Sequence, residues 1–515
     1  MKSISYLDMV KEILTQSEFL EFEKCYNNPV KKSVKILNHR WYKNNKSDLY
    51  DIVKSTLSNE RNLSEPDFSY NWKKYNDVLF ATRKENLKSA SLWSHFLHQA
   101  WLIYVQEMAA SLSVQMLWIQ SWDSVLDMCA APGWKSVQIA DALLSSSWAK
   151  AKDPGNVNQM DSSAKASEWQ HVGFLISNEI DLWRKKALES NLHRCWIANV
   201  WVINQDWCVI WDKFPETFDK VLVDAPCSWE WMQYKSDKKV RQRDEKKSQK
   251  LSQLQIQLLT SWLKALKVWW ELVYSTCTTN VLENEYVVSE VLKKYWNKIE
   301  LLNIPLDEKS DWICNWRWNE ILSPENAKKV ARLWPHVQHT GWFFIAKFKK
   351  VDSLSSWAKA KDPGNVMQMD FSAKASEWQA WEKLSTWWIQ SDSDLVFFES
   401  KFTINVAPKS LIENHFEKEI PNIEIWLPIF KILEDKKQNS KKLIPLVWIA
   451  QTFGHLATKN TLEISDEQLK SVMEKRDLVD DRLKDFEWEF VILKWNWVGV
   501  WLVSVQKWIW KNKCF

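Results

Sequence analysis

The amino-acid sequence predicts an α/β protein built around a doubly wound, mostly parallel sheet of the Rossmann-like type. Between about residues 120 and 350, short apolar strands alternate with helices, a pattern typical of βαβ units. Polar or cysteine-containing segments directly follow several of these strands. Because the carboxyl ends of parallel strands meet at one edge of such a sheet, we expect a ligand site at that edge.

The central region should contain five short apolar strands and three helices. The strands are expected at 124–128, 174–177, 200–203, 220–223 and 272–275. The helices are expected at about 136–144, 184–192 and 253–266. The first 118 residues mix helix and strand, and the last part of the chain, from about Asp392, reads as a separate α+β module.

Length, charge and cysteine content narrow the class of protein. The chain has 515 residues and a net charge of +4, which suits two to four domains and permits a nucleic acid partner without requiring one. It lacks a run of about 18 apolar residues and a signal-peptide pattern, so we expect no membrane span and a cytoplasmic location. We also expect a monomer. The eight cysteines are scattered singly, which predicts no metal site and no disulfide framework.

Tryptophan and glycine occur in reversed proportions. The chain has 38 Trp and only 7 Gly, whereas glycine alone usually makes up about 7% of residues. The pair Trp269-Trp270 is expected to end the long helix before a strand, where positive φ is favoured and a bulky residue is an outlier. We therefore hypothesise that the gene encodes glycine as UGA and that these codons are written here as tryptophan.

One segment occurs twice. Residues 147–170 return as residues 356–379 with two differences. Two copies are too few for a solenoid, which needs at least three stacked units. Their small, polar composition predicts exposed loop or linker without a chemical role.

Two segments after strands have the character of cofactor-binding loops. Residues 127–135 read DMCAAPGWK; small residues let a ligand approach the backbone, and the helix N-terminus that follows favours a carboxylate or phosphate. Glu179 follows the second strand, where an acid commonly binds ribose hydroxyls. An ordinary exposed glutamate is the alternative for Glu179.

Two further segments place a cysteine just beyond a strand. Residues 224–231 read DAPCSWEW and contain Cys227, and residues 274–278 read YSTCT and contain Cys277. A single cysteine at such a position is usually inert. Two of them on neighbouring strand ends, beside Asp224, indicate nucleophilic chemistry.

These segments closely resemble the motifs of the Sun-type RNA cytosine methyltransferases, which include the bacterial RsmB and RsmF enzymes. With tryptophan read as glycine, they become CAAPGGK, DAPCSGEG and LKVGGELVYSTCT. Similar flanking motifs occur in order at residues 32–38, 102–110, 283–285 and 332–344. Residues 465–470 and 494–512 resemble the PUA-like tail of the RsmF type.

The resemblance implies a class I methyltransferase fold with flanking RNA-binding domains. The implied domains are an N-terminal RNA-binding α+β domain (1–118), a methyltransferase domain with an insert at 147–170 (119–350), a repeat-containing linker (351–384) and a PUA-like α+β domain (385–515). The partner would be RNA, ribosomal RNA above all.

The resemblance also implies that S-adenosylmethionine is used to form 5-methylcytosine in RNA. Cys277 would add to carbon 6 of cytosine, Cys227 would assist release of the adduct, and Asp224 would contact the base. The implied cofactor-binding residues are Cys129, Ala130, Ala131, Pro132, Gly133, Trp134, Lys135, Glu179, Arg184, Asp206 and Asp224. Within this set, Glu179 is expected on the ribose and Asp206 near the adenine.

Three alternatives stay open from the sequence. The RNA could be transfer RNA. A DNA cytosine methyltransferase would use the Pro-Cys thiol, Cys227, as its nucleophile and would not need Cys277. A non-catalytic RNA-binding or ribosome-assembly factor is favoured if Trp134 and Trp229 are genuine, because their indoles would crowd the cofactor loop and the base pocket.

Overall fold

The computed structural model describes the central region almost continuously and the flanking regions in part. The described residues are 6–26, 32–37, 78–81, 96–150, 173–195, 197, 199–206, 214–228, 245–306, 313–317, 319–338, 340–352, 395–399, 403–408, 427–435, 440–446, 457, 459–473, 478, 480, 482, 490–495 and 498–504.

The N-terminal part consists of helices and a small antiparallel sheet. Its elements are α1 (Tyr6–Ile13), α2 (Gln16–Tyr26), β1 (Lys32–Ile36), β2 (Val78–Ala81), α3 (Phe96–Gln99) and β3 (Ile103–Gln106), with strand order β2-β1-β3. Phe22 packs edge-to-face on Trp334, with ring centroids 5.9 Å apart. The buried Lys35 in β1 lies 2.8 Å from the buried carboxylate of Asp141. These contacts attach the N-terminal elements to the central region.

The central region is an α/β unit with an eight-stranded mixed sheet. Its helices are α4 (Met108–Gln115), α5 (Trp134–Lys150), α6 (Leu182–Arg194), α7 (Glu245–Ala265), α8 (Glu285–Lys294), α9 (Pro324–Ala327) and α10 (Pro335–Gln338). Its strands are β4 (Ser124–Asp127), β5 (Phe174–Asn178), β6 (Val200–Ile203), β7 (Phe218–Asp224), β8 (Leu266–Thr276), β9 (Ile299–Leu302), β12 (Ala331–Leu333) and β13 (Phe343–Lys350). A separate two-stranded ribbon is formed by β10 (Asn315–Trp316) and β11 (Asn319–Glu320).

The topology confirms the expected Rossmann-like α/β sheet. The strand order is β12-β13-β8-β7-β4-β5-β6, and β9 also pairs with β13. The five strands from β8 to β6 are parallel, whereas β13 runs antiparallel to its neighbours. Successive residues of one strand enter different apolar clusters: Val125 lies in one and Leu126 in the other. The strands are therefore covered on both faces, which explains their continuous apolar sequences.

Several expected boundaries were wrong. The long helix ends at Ala265, and the Trp pair lies inside β8 because β8 already pairs with β7 from Leu266, opposite Phe218. Helix α5 reaches Lys150 and so enters the first repeat, which was expected to be loop. The rest of that copy to residue 170 and the second copy, 356–379, lie outside the described residues.

The backbone is unusual at three tryptophans. Trp269 has φ of 75°, although it lies in a strand, and Trp101 and Trp118 have φ of 55° and 48°. They make up half of the six non-glycine residues with positive φ among the described residues. Tryptophan therefore occupies backbone positions that favour glycine.

The described C-terminal residues contain strands and one helix. These are β14 (Leu395–Glu399), β15 (Thr403–Pro408), β16 (Leu427–Asp435), β17 (Ser440–Pro445), β18 (Thr461–Glu463), α11 (Asp466–Met473), β19 (Phe490–Trp495) and β20 (Val498–Ser504). β14 to β17 form an antiparallel sheet, and β19 pairs with both β18 and β20. The PUA-like assignment stays a prediction. Across the described residues, no helix has the length and apolar character needed to cross a bilayer.

Candidate active site

The predicted site residues lie along the carboxyl edge of the parallel strands. Residues 129–135 follow β4, Glu179 follows β5 and Asp206 follows β6. Asp224 ends β7, and Cys277 directly follows β8. One edge of the sheet therefore gathers residues from five strands, as the topology predicts.

The loop between β4 and α5 offers backbone rather than bulky side chains. Gly133 has φ of 108°, and a Cβ added there would lie 3.1 Å from Leu188 Cδ1, so both conformation and space favour glycine. The Ala130 amide donates to Asn178 O at 3.0 Å, which ties the loop to the end of β5. Trp134, half-buried, begins α5.

Glu179 is fully buried, so the exposed alternative was wrong. Its Oε1 accepts a hydrogen bond from the Asp181 amide at 3.1 Å. Its Oε2 lies 3.4 Å from Arg184 Nη1 but accepts no hydrogen bond from the described residues. Arg184 Nη2 also donates to Ala131 O at 2.8 Å, which connects the acid to the β4–α5 loop. A buried carboxylate oxygen without a donor suits a hydroxyl ligand. Asp206, in contrast, is exposed.

Asp224 links the β4–α5 loop to the two cysteines. Lys135 Nζ donates to its Oδ2 at 2.6 Å, and Ser275 Oγ donates to its Oδ1 at 2.9 Å. Lys135 Nζ also lies 5.3 Å from the Phe343 ring centroid. With both oxygens engaged, the Asp224 carboxylate has a fixed orientation.

The two predicted cysteines meet. The Sγ atoms of Cys227 and Cys277 are 3.0 Å apart. Asp224 lies opposite Ser275 in the β7–β8 register, and the Ala225 amide donates to Ser275 O at 2.9 Å, so the two strands deliver their next residues side by side. Cys227 is buried and Cys277 is half-buried. Cys277 is thus the more accessible thiol of the pair.

Burial separates Cys129 from this pair and perturbs Asp127. Burial raises the pKa of the Cys129 thiol well above its usual range, so Cys129 stays protonated and is a poor nucleophile. Burial likewise raises the pKa of Asp127 to about 7, although Ser136 Oγ donates to its Oδ2 at 2.6 Å. Its Oδ1 has no hydrogen-bond partner among the described residues.

A buried ion pair between Arg332 and Glu285 lies next to the Cys277 loop and is hydrogen-bonded to it. Arg332 Nε and Nη2 donate to the two carboxylate oxygens of Glu285 at 2.5 and 2.6 Å. Arg332 Nη1 donates to Thr279 O at 2.9 Å. Sequence reasoning recognised both segments as flanking motifs but gave these side chains no role. It also gave no role to Ser228, although Ser228 lies in the DAPCSWEW segment, or to Gln255, which lies outside every recognised motif.

The chain is similar to several known proteins. Residues 162–349 match the family model described as 16S rRNA methyltransferase RsmB/F. The chain is 28% identical over 299 residues to "Ribosomal RNA small subunit methyltransferase F" of Photobacterium profundum, covering 58% of this chain and 55% of the relative. It is 30% identical over 301 residues to "Multisite-specific tRNA:(cytosine-C(5))-methyltransferase trm4b" of Schizosaccharomyces pombe, covering 49% of this chain and 43% of the relative. The chain thus spans about half the length of these relatives.

A solved structure supports the fold. The structure titled "Methyltransferase Homolog Protein from Pyrococcus Horikoshii" is 24% identical, with a TM-score of 0.51, and the match covers 68% of this chain and 96% of that one. At this identity the likeness concerns the fold alone.

Proposed function

We propose that the chain, which is similar to Sun/RsmB/RsmF proteins, is an S-adenosylmethionine-dependent methyltransferase that forms 5-methylcytosine in RNA, with ribosomal RNA as the substrate. One observation carries the proposal: two thiols from neighbouring strand ends lie 3.0 Å apart. Asp224, whose carboxylate is fixed by Lys135, ends the strand that leads to one of them.

The two thiols suit the two halves of the reaction. Carbon 5 of cytosine is a weak nucleophile until a thiolate adds to carbon 6, which makes carbon 5 enamine-like. Cys277, the more accessible thiol, forms that bond. After methylation, loss of the carbon 5 proton restores the C5–C6 double bond as the bond from carbon 6 to Cys277 breaks. Cys227, beside the departing sulfur, assists this release, and Asp224 supports the base.

The β4–α5 loop and Glu179 fit S-adenosylmethionine. When bound, this cofactor supplies the methyl group. The buried Glu179 Oε2, which accepts no hydrogen bond from described residues, suits a ribose hydroxyl. Gly133 keeps the loop free of a side chain at a positive φ, and Arg184 joins the loop to Glu179. Asp206 would lie near the adenine of the cofactor.

RNA would be held by the flanking regions through its backbone and shape. The target cytosine has to leave its stack to reach the thiols. Ribosomal RNA is the substrate named for the relative from Photobacterium profundum, and transfer RNA is named for the relative from Schizosaccharomyces pombe. Transfer RNA is therefore the second candidate substrate.

The central test separates the two cysteines. Cys277→Ala should abolish methylation and form no covalent RNA complex, because the nucleophile is gone. Cys227→Ala should accumulate a denaturant-resistant RNA adduct, because release fails after the adduct has formed. Gel shifts under denaturing conditions measure the adduct, and Cys25→Ala, which changes another half-buried cysteine, is the matched control.

Opposite results would reassign the chemistry. An adduct in Cys277→Ala but not in Cys227→Ala would make Cys227 the nucleophile, as in the DNA-type scheme. No adduct and no methylation with any RNA, from protein carrying glycine at the UGA positions, would favour a non-catalytic RNA-binding factor. Bisulfite sequencing of ribosomal and transfer RNA, with and without the gene, identifies the modified cytosine and decides between the two substrates.

A further inference from the structure

Glu283 lies behind the cysteine loops, and its side chain is fully buried. Three N–H groups donate to its carboxylate. The Ser228 amide donates to Oε2 at 2.9 Å, Gln255 Nε2 donates to Oε2 at 3.2 Å, and Asn280 Nδ2 donates to Oε1 at 2.8 Å. The three donors come from the Cys227 loop, helix α7 and the Cys277 loop, so one carboxylate joins three separate segments.

These bonds hold Cys227 from both sides. Ser228, whose amide binds Glu283, is the residue after Cys227. Pro226 is the residue before it, and Pro226 O accepts a hydrogen bond from Gln255 Nε2 at 2.9 Å. Because Gln255 also donates to Glu283, the acid and the amide together fix the backbone on either side of the thiol.

The same carboxylate is connected to the Cys277 loop. Asn280, which donates to Glu283, also donates its backbone N–H to Thr278 Oγ1 at 3.2 Å. Thr278 follows Cys277, and its Oγ1 lies 2.9 Å from Ser228 Oγ. The hydrogen bonds thus form a closed ring through Glu283, Ser228, Thr278 and Asn280. Cys227 directly precedes Ser228 in the chain, and Cys277 directly precedes Thr278.

We propose that Glu283 is a positioning residue that sets the distance between the Cys227 and Cys277 thiols, and thereby the rate at which Cys227 assists release of the methylated RNA. The role in release rests on the proposed function. A carboxylate suits the position because it only accepts hydrogen bonds and can take all three donors. A glutamine amide at position 283 would turn an NH2 group towards one of these donors, leaving a buried N–H without an acceptor.

The first test needs no RNA. Diamide takes two hydrogen atoms from a pair of adjacent thiols, which join as a disulfide while the diamide N=N bond is reduced to a hydrazine. In the unmodified chain, the Cys227–Cys277 disulfide should form readily because the sulfurs are 3.0 Å apart. In Glu283→Gln it should form about tenfold more slowly, since one buried hydrogen bond lost is worth roughly that factor. Peptide mapping at successive times measures the fraction of chains that contain the Cys227–Cys277 disulfide.

The second test uses RNA. Glu283→Gln should still form the Cys277 adduct and transfer the methyl group, but its denaturant-resistant adduct should persist about tenfold longer, again by the loss of one buried hydrogen bond. The matched control is Glu271→Gln, which removes a half-buried carboxylate that is paired with Lys220 and Lys347. This control should lose stability yet keep normal disulfide formation and normal adduct release.

The outcomes separate the inference from the proposed function. A folded Glu283→Gln with normal disulfide formation and normal release overturns the inference. If Glu283→Gln does not fold, Gln255→Ala removes one donor to Glu283 together with the bond to Pro226 and should slow both processes in the same direction; unchanged rates in that variant would also overturn it. If the unmodified chain methylates no RNA, the proposed function fails, and the diamide rates alone decide whether Glu283 positions the thiols.

Discussion

Glu271, towards the amino end of the parallel strands, is paired differently from the acids at the carboxyl end. At the carboxyl end, Asp127 and Glu179 are fully buried, and each has one carboxylate oxygen that accepts no hydrogen bond from the described residues. Towards the amino end, Glu271 lies 2.6 Å from Lys220 and 3.0 Å from Lys347. The charge of Glu271 is thus balanced within the chain, whereas Asp123, just before β4, is fully buried and has one oxygen without a hydrogen bond from the described residues. At the carboxyl end, buried acceptors are left over, and this is where a ligand with matching donors would bind.

The pKa values differ in the same way. Burial raises the pKa of Asp127 to about 7. Burial also raises the pKa of Glu271, but hydrogen bonds and ion pairs with Lys220 and Lys347 outweigh this, so its pKa lies below the usual range. Asp127 therefore favours the proton, whereas Glu271 favours the charge.

The largest expected effect is on the pH dependence of stability. The pKa of Asp127 is about 7 in the fold and 3.8 ordinarily, so between these values the folded chain keeps a proton that the unfolded chain has lost. The contribution of Asp127 is therefore fully present below about pH 4 and is lost as pH rises through about 7, an effect on the order of 4 kcal/mol. Asp127→Asn should flatten this slope in urea unfolding measured from pH 4 to 8.

The opposite end of the sheet supplies the control for this prediction. Because the pKa of Glu271 is lowered in the fold, its contribution is present above its ordinary value of 4.5 and is lost only as pH falls through the folded value. Glu271→Gln should leave the slope between pH 5 and 8 unchanged. If Asp127→Asn keeps the slope of the unmodified chain, the contrast between the two ends does not arise from Asp127.

The next effect concerns cofactor affinity. Glu179→Ala should weaken binding of S-adenosylmethionine about tenfold or more, because a buried hydroxyl of the ligand would lose its acceptor. Isothermal titration calorimetry measures this affinity. Glu271→Gln, at the other end of the sheet, should bind the cofactor as the unmodified chain does. An unchanged affinity in Glu179→Ala would remove this acid from the site.

Strand positions and the edge where the site lies could be predicted from the sequence. Boundaries and hydrogen bonds that depend on residues far away in the chain could not. The strand at Val200–Ile203 was predicted with its correct bounds because a strand buried on both faces has a continuous apolar sequence. The meeting of Cys227 and Cys277 followed from the rule that parallel strands end at one edge. The early start of β8 was missed because its pairing with β7, across the fold, overrode local helical preference. The ring around Glu283 was missed because Gln255 lies on another element, 28 residues earlier in the chain.

The positive φ of Trp269, towards the amino end of the parallel strands, needs a different explanation from the positive φ of Gly133 at the candidate site. Gly133, in the β4–α5 loop, has φ of 108° and is a glycine, as that conformation requires. Trp269 has φ of 75° at the opposite part of the sheet, where no predicted site residue lies, and its side chain is 65% exposed. Because the Trp269 side chain packs little against the rest of the chain, it does not offset the cost of the strained backbone. We propose that position 269 is a glycine in the native protein, encoded by UGA.

The smallest effect tests this proposal. Trp269→Gly should stabilise the tryptophan-containing chain by about 1 kcal/mol. A strained positive φ costs about 1–3 kcal/mol, whereas the contact with Lys349, 5.4 Å from the ring centroid, returns only about 0.5–1 kcal/mol. Trp270→Gly is the matched control: Trp270 packs against the core and faces Lys220, so its loss should destabilise. Urea unfolding compares the two variants. Peptide masses of the native protein should show glycine at 269, and tryptophan there would contradict the proposal; equal destabilisation by both substitutions would show that the backbone at 269 does not call for glycine.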